Sequence, residues 1–574
     1  MAYPSVLLTK FLFLILVCGI LTVAALDSSL YYCNLAGYLF IFIVPAFLVK
    51  DLISRMPLKR RPSIIEALYV GWCIIVGITQ TLFVKQLGAS ALMTLCSGLF
   101  IVTCTKEWAG KMLGALFTAT LLLCTYFLAD YYYHLLAFKQ TRDIIGIFYN
   151  SGPFSIFVSL FWPLALIRYC RGYKVQASLY FGLTLLLLSI TLSRTSIGIA
   201  FLSTAAFFLT RIKAKHLVGA IALLIFTSAF LFWLKPTSVI GRLCVWKVTS
   251  GLFLKNRTWG VGLSNFTNAY NSYKATVPEE LCSEFLDKVD YPFNEPIKIF
   301  VEGGVISGAF LTTIALLTFN SLSRRRGRYN AKLAIAAAIV PPFLFSYPLS
   351  SLPLSLVIVC YLVILKPNRV ILKPNRVILK PNRVILKPNR RLALTQWHAW
   401  KVKTCIVLVL IALLSCLYPA FKQIRTEIDL SNFLYEYANP EIPRSIVFEN
   451  NAHLRQHPIF AAHHGKYLVN SGRYKEAIAV NEYASNHIAD PMLLCTLAEA
   501  LSASAMTSEA EIVLQRAIWM APKRIYPRFQ LFKLYLAIGD NKQARDIGGI
   551  ILSRTEGSKN VAAVEMRQFV LAHL

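Results

Sequence analysis

Apolar runs long enough to cross a bilayer recur from Phe11 almost to Pro419, and they leave little choice of architecture. A hydrocarbon core of ~30 Å takes about 20 helical residues at ~1.5 Å each. The first two thirds of the chain therefore read as a polytopic bundle of membrane helices. Hydrophobic residues make up 56% of the 574, charged residues 15%, and the mean hydropathy is +0.57, which excludes an ordinary soluble protein. A net charge of +31 would suggest nucleic acid in a soluble chain. Here the Lys and Arg residues fall in short connectors between apolar runs, which is the positive-inside pattern, and no nucleic-acid partner is expected.

Those connectors set a topology. Lys10 precedes a span at Phe11–Leu26, and Leu30–Val49 ends at Lys50, Arg55, Lys59, Arg60 and Arg61. Lys106 and Lys111, then Arg168, Arg171 and Lys174, then Arg211, Lys213 and Lys215, then Arg324, Arg325, Arg326 and Arg328 are placed on the same cytoplasmic side. Further spans are expected at Ile64–Phe83, Ala89–Thr105, Met112–Leu128, Pro153–Ile167, Ser178–Leu192, Ser196–Thr210, Leu217–Trp233, Ile297–Leu317, Leu333–Phe345 and Leu352–Leu365. The first span, with its basic flank and Ala24-Ala25, also fits a cleavable signal peptide. The charge register works with it kept, so the N-terminus reads as cytoplasmic.

Residues 1–362 thus form a membrane domain with one long outer loop at about 235–296. A linker at 363–401 follows, in which Val-Ile-Leu-Lys-Pro-Asn-Arg occurs four times in succession; a proline in each unit prevents a continuous helix, and the basic residues keep the block cytoplasmic. A last span at 402–419, about the thirteenth, carries residues 425–574 to the outer side. That domain is soluble and repetitive: Gly472, Ala505 and Gly539 recur at about 34 residues, each followed five positions later by Ala477, Ala510 and Ala544. This is the tetratricopeptide period, and such helical arrays hold protein partners more often than they catalyse. His463-His464 reads as a surface pair on one of its helices.

Candidate chemistry concentrates in and around the outer loop. Arg242 lies one helical turn from Trp246, Trp259-Gly260-Val261-Gly262 has the spacing of a tight turn, and Phe293-Asn294-Glu295 leads into a span that also holds Glu302, Gly303, Gly304 and Gly308. Arg194 sits in a Ser-Arg-Thr turn between two spans, where the positive-inside bias makes an arginine unexpected. Each has a structural alternative: Arg194 snorkelling to headgroups, Arg242 as a solvated loop charge, Glu295 as a helix cap. Gly260-x-Gly262 lacks the preceding strand of a dinucleotide loop. Cys244 and Cys282 share the loop and can pair in an oxidising compartment. No CxxC or histidine spacing suggests a metal.

Four segments together resemble the O-antigen ligase and O-antigen polymerase superfamily of bacterial envelope glycosyltransferases: Gly146-Ile147-Phe148-Tyr149-Asn150-Ser151-Gly152-Pro153-Phe154; Ser193-Arg194-Thr195; Arg242, Trp246, Gly260, Gly262 and Phe266; and Phe293-Asn294-Glu295 with Val301-Glu302-Gly303-Gly304. The resemblance covers roughly 146–317 and implies an inner-membrane enzyme with its site on the periplasmic face. The implied donor is a glycan joined through a diphosphate to a polyprenyl lipid; the acceptor is lipid A core, another glycan or a protein. It further implies Arg194 and Arg242 as diphosphate ligands, Trp246, Asn294, Gly260 and Gly262 as substrate-binding residues, and inverting transfer with no metal or other cofactor. The chain departs from the family at Phe293, where many members have a histidine regarded as the base. Either Glu295 takes over proton abstraction or the acceptor hydroxyl is activated elsewhere. A transporter or flippase with a docking domain is the reading from another class. It is disfavoured because the apolar spans are nearly free of charge apart from Glu66 and Glu302 and no two halves look alike.

Overall fold

The computed structural model describes residues 106–139, 148, 150–209, 236–263, 265–277, 288–323, 329–365, 422, 425–426, 428–558 and 560–574. Among these residues there are eighteen α-helices and no strand, in two compact units. One unit takes the residues before Lys235 together with Gly262–Ser264 and Phe293–Phe421, the other Lys235–Val261, Asn265–Pro292 and Lys422–Leu574.

The first unit contains α1 (Lys106–Phe138), α2 (Ser151–Ser159), α3 (Trp162–Cys170), α4 (Lys174–Thr191), α5 (Arg194–Phe208), α8 (Glu295–Ser323), α9 (Tyr329–Phe345) and α10 (Leu352–Leu365). Ala109–Phe138, Ser151–Cys170, Lys174–Thr191 and Glu295–Leu316 are long and apolar enough to span a membrane, and α5, α9 and α10 are shorter apolar helices. The expected spans at Phe11–Leu26, Leu30–Val49, Ile64–Phe83, Ala89–Thr105, Leu217–Trp233 and 402–419 lie outside the described residues, as does most of the 363–401 linker. Expectation and structure coincide at α10. They differ at α1, which runs on past Leu128 through Asp130 and three tyrosines to Phe138.

The span expected at Pro153–Ile167 is two helices, because Pro163 supplies no N–H to the turn before it. Irregular backbone at membrane depth must be satisfied from within the protein. At this break the Tyr180 hydroxyl donates to the carbonyl of Val158 and the Tyr361 hydroxyl to that of Leu160. Both tyrosines are fully buried in a core with Phe117, Phe154, Phe157 and Phe161.

The second unit contains α6 (Pro236–Lys255) and α7 (Phe266–Lys274), followed by α11 (Arg444–Asn450), α12 (Pro458–Asn470), α13 (Tyr474–His487), α14 (Pro491–Ala503), α15 (Thr507–Met520), α16 (Tyr526–Ile538), α17 (Asn541–Thr555) and α18 (Val561–His573). Among its described residues the stretch expected to be a loop thus holds two helices, and they cluster with the C-terminal helices. Helices α12 to α17 form three successive hairpins. Each turns on the residue picked out by the period, Gly472 at φ 72°, Ala505 at φ 64° and Gly539 at φ 78°. Left-handed backbone suits glycine and strains alanine, so at Ala505 the hairpin geometry overrides the residue. Ala477, Ala510 and Ala544 are buried, as close packing between paired helices requires.

Four positions after those alanines stand Asn481, Leu514 and Gly548. Asn481 is 0% exposed and neither its Oδ1 nor its Nδ2 has a hydrogen-bond partner. A Cβ at Gly465 would come within 2.1 Å of its Oδ1. A buried amide left unsatisfied costs about 1–3 kcal/mol. Asn481→Leu, of similar shape, is expected to stabilise this hairpin by about that amount, read as slower hydrogen exchange in α12 and α13.

His463 and His464 are not the surface pair expected. His463 lies 4.6 Å from the Tyr437 ring and His464 5.0 Å from that of Phe448, in an aromatic cluster with Phe433 and Phe460. Burial, reinforced by Lys466 and Arg444 near His463 and by Arg455 and Arg473 near His464, holds both imidazoles below the ordinary 6.5. Their neutral forms favour the fold above pH ~6.5, and that contribution is lost as pH falls through the lowered folded values. Hydrogen exchange of α12, corrected for its chemical rate, is expected to quicken between pH 7.5 and 5.

Candidate functional site

Helix α8 enters the first unit on a hydrogen-bonded knot. Asn294 caps it: its Oδ1 accepts from Ile297 N–H at 3.0 Å while its Nδ2 donates to the carbonyl of Leu344 at 3.1 Å, one residue from the end of α9. Glu295 is 2% exposed, and its Oε1 accepts from the N–H of Leu349 at 2.8 Å in the short 3-10 turn Pro348–Ser350. One helical turn on, buried Lys298 donates from Nζ to Ser350 Oγ at 2.8 Å. Glu302, also buried, completes an i, i+3, i+7 stripe of ionisable groups on one face. The Lys298 ammonium and the Glu302 carboxylate both act electrostatically on Glu295. Ionisable groups inside an apolar span are costly and mark functional sites. Sequence reasoning passed over Lys298, although its spacing from Glu295 and Glu302 within an apolar run was the signal that could have found it.

In this conformation Glu295 holds a turn and Asn294 caps a helix. The base expected at Glu295 has its carboxylate directed at backbone, and Asn294, expected to bind substrate, is engaged through both side-chain polar atoms. Beside them Phe293 is left-handed at φ 54°, a strained backbone for an aromatic residue, with its ring 5.8 Å from that of Tyr347.

The glycine pattern has a mechanical explanation. Gly304, at φ 67° and ψ −170°, breaks α8 in a conformation essentially closed to other residues. A broken ladder leaves carbonyls without helical donors, and the carbonyl of Glu302 accepts the N–H of Gly262 at 2.9 Å. Gly260 at φ 76° and Gly262 at φ 95° give that turn its left-handed backbone, as the spacing led one to expect. Space beyond the break is tight: a Cβ at Gly308 would lie 2.0 Å from the Phe300 ring.

Arg194 opens α5. The α4–α5 hairpin turns on Leu192 at φ 48°, Ser193 Oγ lies 2.9 Å from Ser196 Oγ, and Ser155 Oγ donates to Thr191 Oγ1 at 3.0 Å, tying in the start of α2. Asn150, within the Gly146–Phe154 segment, caps α2 by accepting from Gly152 N–H. One turn after Arg194, a Cβ at Gly198 would sit 3.7 Å from Pro341, one turn before the α9 carbonyl that receives Asn294. The structure brings Asn294, Glu295 and Lys298 together at the start of α8, and it packs α5, which Arg194 opens, against α9, whose end receives Asn294.

Arg242 and Trp246 belong to the second unit, one turn apart on α6. The Trp246 indole N–H donates to the carbonyl of Pro292 at 2.8 Å. Asn271 pairs with the backbone of Val289 in both directions and Thr267 donates to Asp290, so residues 289–292 are fixed by α6 and α7. Trp246, expected to bind substrate, has its polar edge committed to this strap. Cys244 is disulfide-bonded; Cys282, its expected partner, lies outside the described residues. Alkylation without reductant is expected to leave Cys244 and Cys282 unlabelled while free, exposed Cys170 reacts, with both loop cysteines labelled after reduction.

Among the described residues no three His, Cys, Asp or Glu side chains are grouped to hold a metal ion. Comparison with protein-family models finds no match, and no curated protein matches the chain.

Proposed function

We propose that this chain transfers a polyprenyl-diphosphate-linked glycan to an acceptor hydroxyl at the periplasmic face of a bacterial inner membrane. The observation that carries the reading is the packing of α5, which Arg194 opens, against α9, whose end holds Asn294 with Glu295 beside it, so that two of the motif segments meet on one helix of the membrane unit. Departure of the lipid diphosphate from the sugar C1 places the bonding electrons on a phosphate oxygen. Guanidinium forks match that developing charge and act most strongly where water is scarce. Arg194 and Arg242 are each assigned to this task. The acceptor oxygen forms the new bond to C1 from the opposite face, inverting it, and gives up its proton. Glu295 takes that proton only if it exchanges the Leu349 N–H for the acceptor; in the resting conformation it positions the turn.

Three observations support the finer architecture. The three hairpins fit tetratricopeptide repeats. A disulfide at Cys244 suits an oxidising compartment. The outer segment and the C-terminal helices share one unit and so need one face of the membrane, which α8, α9 and α10 together with the span expected at 402–419 would satisfy as an even number of crossings.

The kinked α8, with its buried Glu295, Lys298 and Glu302, favours one other reading, a transporter of lipid-linked solutes with a docking domain. Deleting the gene in its host and resolving lipopolysaccharide, polysaccharide and glycoprotein ladders separates the two. Loss of long lipopolysaccharide, collapse of a ladder to a single repeat, or loss of glycoprotein staining identifies ligase, polymerase or protein transferase; unchanged glycans under expressing conditions sink the enzyme reading.

A further inference from the structure

The segment bearing Arg242 is bound to helices more than two hundred residues away in sequence. Helix α7 is the link. The backbone N–H of Ala489 donates to Asn268 Oδ1 at 2.7 Å, and Lys274, 6% exposed, donates from Nζ to the carbonyl of Met520 at 2.9 Å. Met520 is the last residue of α15, where carbonyls lack intrahelical donors and the helix end favours a cation. Lys288 pairs with Asp490 at 3.8 Å, and Ala275 is buried in the same core as Leu494, Leu514 and Met520. On its other side α7 meets α6 closely: a Cβ at Gly251 would fall 2.7 Å from the Tyr273 hydroxyl. Gly251 is in turn on the helix that carries Arg242 and Trp246.

We infer that α7 is a clasp through which the repeat helices hold α6 in place, which makes Asn268 and Lys274 positioning residues for the Arg242-bearing helix. The face of the array between Ala489 and Met520 is then occupied by the chain's own α7, and the C-terminal domain is a structural part of the catalytic body. That last consequence rests on the glycosyl-transfer reading; the clasp itself does not.

The test uses the full-length protein in lipid nanodiscs. Combining Asn268→Ala with Lys274→Met removes both hydrogen bonds while keeping the aliphatic stem of Lys274. Hydrogen exchange in α6 is expected to rise at least about tenfold, the effect of losing the charge-assisted bond alone, with α16 and α17 unchanged. Lys274→Arg alone should keep wild-type protection. A second variant joins Asn268→Cys with Ala489→Cys: on oxidation α6 should exchange more slowly than in the wild type, and in a Lys274→Met background protection and glycan transfer should return together. Unchanged α6 exchange in the Asn268→Ala, Lys274→Met double variant overturns the clasp. If that variant melts the whole unit, the oxidised cysteine pair decides, and no slowing of α6 overturns it. Loss of protection without loss of transfer retains the clasp and removes its catalytic consequence, whereas full activity of Arg242→Ala would remove the functional reading alone.

Discussion

Arg242→Ala is expected to lower glycan transfer by about 10²–10³-fold, the range seen when one preorganised donor to a developing oxyanion is removed, while the protein inserts and accumulates as the wild type does. The twenty-residue helix that carries Arg242 is held through Trp246 to Pro292, through Cys244, and through the close approach of Gly251 to Tyr273. Those three anchors remain when the guanidinium is lost. Arg242→Lys separates charge from shape: an ammonium supplies the charge without the bidentate fork, so activity between the two values is expected. Trp246→Phe is the control, since it releases Pro292 without touching the charge. Transfer assayed with lipid-linked donor in nanodiscs reads all three, and wild-type activity in Arg242→Ala would remove the central assignment.

How far the sequence disclosed this molecule depends on where the partners of each residue lie. Apolar runs and turn residues are local signals, and they located α10 and the three hairpin turns; Ala505 was found by its period although its residue type argues against a left-handed turn. The helical character of 236–255 was less legible, since basic and polar residues are mixed through it without a clear apolar face. Asn294, Glu295 and Trp246 were read from the sequence as base or substrate ligands, whereas the partners they have here are the backbone groups of Leu344, Leu349 and Pro292, which no motif announces. His463 and His464 read as exposed because the rings that cover them, Tyr437 and Phe448, come from preceding segments. Lys274 and Met520 are 246 residues apart, and nothing near either predicts their contact.

Gly304→Ala is the second substitution with a large expected effect, and it tests whether the break in α8 is required. At φ 67° and ψ −170° a Cβ is sterically excluded, and holding such a backbone costs on the order of 1–3 kcal/mol. The cheapest escape is to continue the helix. Straightening α8 would offer the carbonyl of Glu302 an intrahelical donor and release the N–H of Gly262 from its 2.9 Å bond. The Trp259–Leu263 turn would then lose its anchor. Beyond the break, the packing of Phe300 against Gly308 would have to be rebuilt. The expected result is a protein that still inserts but loses transfer to a similar degree as Arg242→Ala, with exchange at 259–263 accelerated and protection across 302–306 increased. Gly303→Ala serves as the contrast: its Cβ would meet Ser307 Oγ at 2.1 Å, a clash that Gly303→Ala combined with Ser307→Ala should largely relieve. No partner change can relieve Gly304→Ala, because there the conflict lies in the backbone of residue 304 itself. Retained activity together with unchanged exchange at 259–263 would mean that the break is incidental to the turn it now holds.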